Sequence, residues 1–206
     1  MSDSDTAVLC LGKARAWTAA RRAATSVAVL VASLSFVSIA AAHAHGCANA
    51  HSTIRHASRA ELQRSVVCVI NRERHSHGLP ALHENSRLNR SAQGWTNVMV
   101  THRDFSHGAD FAARISAVGF DWSNVGENIA TGYATPSTVV KAWIASTGHC
   151  QNILNPTYRY VGTGVSDNSI SGYSTLAGTW TQDFGLLMGQ HPASGNWAPA
   201  EHCPYT

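Results

Sequence analysis

An α+β sandwich is the fold class that this sequence predicts. Stretches with helical periodicity come first, β-rich runs come last, and no βαβ alternation joins them. No internal repeat and no coiled-coil heptad argues for another architecture.

The first helix is expected from Ser58, which with Glu61 forms a capping box that satisfies orphan amides of the first turn. Leu62, Val66, Val67 and Ile70 share one face, and Gly78 and Pro80 stop the helix. Cys68 lies inside it, near the apolar stripe. A second helix fits Ser86 to about Thr101, where Leu88, Ala92, Trp95 and Met99 recur at helical spacing. A third fits Asp110 to Val118, with Phe111 and Ile115 on one side and Gly119 as its stop. A fourth opens at Thr135-Pro136, threonine as cap and proline in the first turn, and turns Val139, Val140, Trp143 and Ile144 to the core. "RYVGTGVSD" from Arg159 and "TLAGTWTQDFGLL" from Thr175 read as an antiparallel pair joined by the Asn/Ser/Gly-rich residues 168–174. "ENIATG" from Glu127 is a further strand candidate.

The start of the 206-residue chain has a different character. Lys13, Arg15, Arg21 and Arg22 precede an apolar run from Val27 to Ala42, and Ala42-His43-Ala44 follows it. A basic region, an apolar core and an A-x-A site describe a secretory signal peptide, cleaved after Ala44. The alternative is a membrane anchor, but the strongly apolar run is shorter than the ~18–20 residues of a span. A lipoprotein at Cys47 lacks the apolar residue expected upstream, and the residues after Arg21-Arg22 fit a twin-arginine signal poorly. The expected organisation is residues 1–44 as signal peptide, 45–57 as a flexible lead-in, 58–188 as the folded domain and 189–206 as a tail. This is a secreted chain with no stable membrane insertion after processing.

Processing removes four of 15 basic and two of 12 acidic residues, leaving eleven against ten. A balance so near neutral gives no electrostatic case for binding nucleic acid or a membrane surface. Cys47, Cys68, Cys150 and Cys203 remain. An even number in an exported chain implies two disulfides, with three possible pairings. No CxxC pair suggests a zinc ribbon or a thioredoxin-like site.

Familiar catalytic motifs are missing. His83-Glu84 lacks the second histidine of HExxH, and "GYSTL" lacks the second glycine of GxSxG. There is no P-loop and no dinucleotide fingerprint. Three polar residues at expected element boundaries stand out: His107 in "DFSHGAD", Glu127 in "VGENIA" and His149 in "STGHCQNILNP". Spacing alone does not bring them together.

Taken in order, "FSHG", "VGENIA", "VVKAWIASTGHCQNILNP", "VGTGVS" and "TWTQDFG" resemble the CAP superfamily of cysteine-rich secretory proteins, antigen 5 and pathogenesis-related 1 proteins, and in particular its short bacterial secreted branch. The resemblance covers about residues 60–187. It implies a three-layer α-β-α sandwich with a central antiparallel sheet, making residues 58–188 a CAP domain. It also implies a polar cleft lined by His107, Glu127 and His149. Many members carry a second glutamate three residues after the tryptophan of helix four; here that position is Ser146. In such a sandwich Cys68 and Cys150 are expected to pair, with Cys47 and Cys203 joining the chain ends.

The chemistry of these three residues bounds the function. Two converging imidazoles can bind Zn²⁺ or another divalent cation. Glu127 can then be a third ligand, or it can hold an imidazole N–H and fix its tautomer. The reading favoured is an extracellular binding or interaction module with a metal-binding cleft. The alternative is a metal-assisted hydrolase of peptide or cell-wall material, with His107, Glu127 and His149 as its catalytic set. No nucleophile sits beside a base, and no catalytic residue is assigned. Cell-wall material, a protein or a small apolar ligand are the partner classes left open.

Overall fold

The computed structural model of the chain describes residues 46–193 and 203–204, all within the unit His43–Thr206. The expected signal peptide and most of the far end of the tail lie outside the described residues. Among the described residues no helix is long and apolar enough to cross a membrane.

The helices begin where their capping residues place them. Ser58 and Glu61 close the capping box that starts α1 (Arg59–Ser76). After the two-residue strand β1 (His83–Glu84), the Asn85 side chain caps α2 (Ser86–His102) and Asp110 caps α3 (Phe111–Ala117). Strand β2 (Trp122–Thr131) follows. Thr135 caps α4 (Pro136–Ile144), with Pro136 in its first turn. Helix α5 (Thr147–Ile153) and strands β3 (Tyr160–Ser166) and β4 (Thr179–Leu187) complete the order.

The strands form one sheet in the order β1-β3-β4-β2. β4 pairs antiparallel with both β2 and β3. The short β1 runs parallel to β3, so the sheet is mixed and not wholly antiparallel. One face carries the larger core, in which Val66, Ile70, Val139, Trp143, Trp180 and Phe184 pack α1 and α4 on the sheet. The other face packs α2 and α3 through Leu88, Ile115 and Phe120 and through Met99 and Ile129. Helices on both faces of the sheet make this the expected α-β-α sandwich.

Two glycines set the depth of one layer. A Cβ on Gly162 would lie 2.1 Å from the Leu88 carbonyl carbon, and one on Gly164 2.3 Å from the Ala92 carbonyl oxygen. The backbone of α2 therefore rests directly on β3. That approach lets α2 side chains reach the strand's free main-chain groups. Asn89 Oδ1 accepts from the Thr163 amide at 2.8 Å. Gln93 accepts from the Val165 amide at 3.0 Å and donates to its carbonyl at 3.1 Å. Gln63 of α1 donates to the Thr163 carbonyl at 2.7 Å. On β2, the carbonyls of Glu127 and Ile129 accept from Asn152 at 3.1 Å and from the Trp143 indole at 3.2 Å.

Two expectations are corrected here. The disulfides are Cys47–Cys68 and Cys150–Cys203, not Cys68–Cys150 and Cys47–Cys203. The cause is that residues 46–57 are not a flexible lead-in. Ile54 is buried in the main core, its amide bonds to the Ala134 carbonyl, and the Ser137 amide bonds to the Ala50 carbonyl. This fold-back carries Cys47 to the half-buried face of α1 where Cys68 lies. The fully buried Cys150 is left for Cys203, which packs against the same core. The bridges span 21 and 53 residues, worth about 3 and 4 kcal/mol in the chain-entropy account. Non-reducing peptide mapping should return these two cross-linked fragments, and a Cys68–Cys150 fragment would contradict the arrangement.

Candidate functional site

Glu127 sits in the middle of β2, not in a loop before a strand. Alternation along β2 points it toward α2, and its cross-strand partner is Asp183 of β4. Its side chain is 1% exposed, and both oxygens are engaged. Oε1 meets His107 Nδ1 at 2.8 Å, and Oε2 accepts from Arg114 Nη2 at 2.5 Å. Because a carboxylate only accepts, Nδ1 carries the proton and the lone pair of His107 is left on Nε2. The His107 ring is about half exposed.

Arg114, on α3, holds this corner together. Its Nη1 donates to the His107 carbonyl at 2.9 Å, and its guanidinium lies over the Trp95 ring, 3.8 Å from the centroid. The Trp95 indole donates to the Ser106 carbonyl at 2.9 Å. Gly108 closes the turn at φ +68°, and a Cβ there would meet the Trp95 ring at 2.6 Å. Only glycine combines that left-handed backbone with that contact.

Asp183 is 1% exposed. Burial, and then the neighbouring Glu127, push its carboxyl well above the usual range. The Ser91 hydroxyl and the Glu127 carboxylate both approach it, Ser91 opposing the shift and Glu127 adding to it, and neither contact closes a well-formed hydrogen bond.

Expected at an element boundary after the fourth helix, His149 lies on the short helix α5. Its carbonyl accepts from Asn128 Nδ2 at 3.2 Å, and that amide also donates to Gln182 Oε1 at 3.2 Å. Asn152 Nδ2 donates to Asn128 Oδ1 at 2.9 Å. A chain of buried amides thus ties α5 to β2 and β4. The imidazole lines a cavity of about 330 Å³ with Ser146, Thr131, Phe105, Tyr133 and Tyr173. His107 is not among the residues lining it. Tyr133 and Ala142 also line an adjoining apolar groove of about 630 Å³ with Leu176 and Lys141.

Burial, and then the nearby His107, lower the pKa of His149. The folded protein therefore prefers the neutral ring, and the unfolded chain binds the proton more readily. Stability is lost as pH falls below the unfolded value of about 6.5. Urea midpoints measured between pH 8 and pH 5 should decline less for His149→Gln than for the parent. An identical decline would remove His149 as a source of the slope.

The structure thus joins His107 and Glu127 directly and brings His149 within electrostatic reach of His107. It does not make the expected three-ligand set. Glu127 would have to release His107 or Arg114 to bind a cation. Among the described residues, no three His, Cys, Asp or Glu side chains form a group that could hold a metal ion. Sequence reasoning passed over Arg114, Trp95 and Asp183. For Asp183 a signal existed: an acid inside "TWTQDFG", among β-formers, in register opposite Glu127.

The profile of the cysteine-rich secretory protein family, CAP, matches residues 67–184, more than half of the chain. The chain belongs to the CAP family. Among curated relatives, the uncharacterized protein YkwD of Bacillus subtilis is 35% identical over 59% of this chain and 46% of its own length. The uncharacterized membrane protein YlbC of the same organism is 29% identical over 50% of this chain and 31% of its own. The chain therefore spans less than half of the curated relatives it matches. Among solved structures, an extracellular protein containing a SCP domain from Bacillus anthracis aligns with a TM-score of 0.54, 23% identity, 63% of this chain and 44% of that one. A cysteine-rich secretory protein from Staphylococcus aureus aligns with a TM-score of 0.51, 17% identity, 62% of this chain and 39% of that one. These two share the fold.

This CAP domain has Ser146 where the resemblance expects a second glutamate. Ser146 precedes α5 as its N-cap and makes no side-chain cap bond. The second acid close to Glu127 is instead Asp183, supplied by β4 and buried beneath the site.

Proposed function

We propose that the chain is an exported CAP-domain binding module whose ligand surface is the cleft around His149 and His107. The observation that carries this reading is the state of Glu127. Both oxygens are spent on holding His107 and Arg114, which is the work of a positioning group. In the cleft itself, Ser146 lines the same cavity as His149, yet no hydrogen bond joins their side chains among the described residues. The 330 Å³ cavity and the adjoining 630 Å³ groove supply concave surface of a size suited to a small ligand or a peptide segment.

Export is supported by the two disulfides, which persist in oxidising compartments. Two structural neighbours, an extracellular SCP-domain protein and a cysteine-rich secretory protein, point the same way. The cleft is further proposed to take a divalent cation such as Zn²⁺ weakly and reversibly, on His107 Nε2 and an imidazole nitrogen of His149, with water completing the shell. Glu127 then orients His107 from outside the metal. Calorimetry with Zn²⁺ on untagged protein near pH 7 tests this. Saturable binding lost in the His107→Ala/His149→Ala double variant is expected; equal heats from parent and double variant would sink the metal part.

A further inference from the structure

We infer that Arg114 is the positioning residue of the cleft, setting which nitrogen of His107 faces the ligand. The inference rests on the metal reading only for its consequence in binding; the positioning itself stands on geometry. His107 sits on a loop that bends sharply at Gly108, and its ring is about half exposed. Left to itself, such a ring samples both neutral tautomers and several rotamers. Arg114 removes that freedom from two directions. Through Nη2 it fixes the Glu127 oxygen that His107 does not use, so the other oxygen is presented to His107 Nδ1 in one orientation. Through Nη1 it holds the His107 main-chain carbonyl, and with it the loop.

The guanidinium is itself held. It stacks on Trp95, whose indole grips the same loop at Ser106. Gly108 leaves room for the stack, since a Cβ would come within 3.2 Å of Arg114 Nη1 and closer still to the Trp95 ring. A planar cation with several donors is needed here. A lysine ammonium can bond Glu127 or the His107 carbonyl, but it cannot present the fork that serves both while stacking on Trp95.

Imidazole nitrogen NMR on metal-free protein tests the positioning directly, because it reports the tautomer of His107 and not merely whether the chain is folded. In the parent, His107 should hold its neutral proton on Nδ1. In Arg114→Gln the two tautomers should mix, and Arg114→Lys should fall between. Thermal denaturation is run beside each variant. If Arg114→Gln does not fold, Arg114→Lys carries the test. A single Nδ1–H tautomer in every folded Arg114 variant would overturn the inference, whether or not zinc binds. With Zn²⁺ as the probe, Arg114→Gln should weaken binding about ten- to a hundredfold, the range seen when outer partners of a ligating histidine are lost. A parent that takes up no zinc, but whose tautomers mix on substitution, would defeat the metal reading and leave the positioning role intact.

Discussion

Replacing Gly162 with alanine is expected to destabilise the protein by about 3 kcal/mol, the upper part of the range for overpacking a filled core. The added methyl would lie 2.1 Å from the Leu88 carbonyl carbon and 2.2 Å from the Asn89 amide nitrogen. Both are backbone atoms of α2, so no rotamer change relieves the contact. Relief requires the helix to lift from β3, and Leu88 and Ala92 are fully buried against that face. Lifting α2 also draws Asn89 and Gln93 away from the strand groups they satisfy, leaving polar atoms unpaired. The control lies on the same helix. Gly94 has open space around its Cβ position, so Gly94→Ala should stabilise by about 0.5–1 kcal/mol through helix propensity alone. Equilibrium urea unfolding of the two variants should move in opposite directions. A Gly162→Ala midpoint equal to the parent would mean that α2 does not rest on β3 as described.

Substitution of Glu127 by alanine is expected to cost about 2–3 kcal/mol. Breaking a buried ion pair by deleting one partner commonly costs about 3–5 kcal/mol, because the remaining charge is stranded. The lower figure applies because the Arg114 side chain keeps 21% of its surface exposed and water can reach it. Asp183 softens the loss further. Without Glu127 beside it, one cause of its raised pKa disappears, and it ionises more readily toward Arg114. Adding Asp183→Asn to Glu127→Ala should therefore cost more than the two changes measured separately. A double-mutant cycle reads that coupling directly. Strict additivity would show that the two carboxyl groups do not share Arg114.

The helices were legible because their signals are local. Ser58 with Glu61, Asp110 and Thr135-Pro136 each set a helix start through bonds within three or four residues, and the apolar spacing of α1, α2 and α4 did the rest. Strand β1 was not legible. Two exposed residues carry no alternation, and they pair only because β3 is there to receive them. Helix α5 is seven residues long, and its sequence, "TGHCQNI", is poor in strong helix formers. Its shape comes from tertiary bonds to Asn128 and from burial of Cys150 and Ile153. The disulfides were misassigned for a related reason. Residues 46–57 lack periodicity, yet one buried isoleucine and two main-chain bonds to the start of α4 are enough to fold them back onto α1.

The site divides in the same way. His107, Glu127 and His149 could be picked out as polar residues in a recognisable order of motifs. The partners that give them meaning could not. Arg114 is three residues into a short helix, and nothing in "FAARIS" distinguishes a surface arginine from one aimed at a carboxylate across the domain. Trp95 has the spacing of a core residue, and it serves as a platform instead.

The covering of main-chain groups on β3 and on the edge strand β2 has a consequence for strand-adding partners. A peptide that binds by adding a strand must find free main-chain donors and acceptors along a sheet edge. Here Gln63, Asn89 and Gln93 occupy those of β3, and Asn152 and Trp143 occupy carbonyls of β2. These groups are already bonded within the domain and are not free to pair with a second chain. At these positions a second chain would meet side chains and groove shape in place of free main-chain groups.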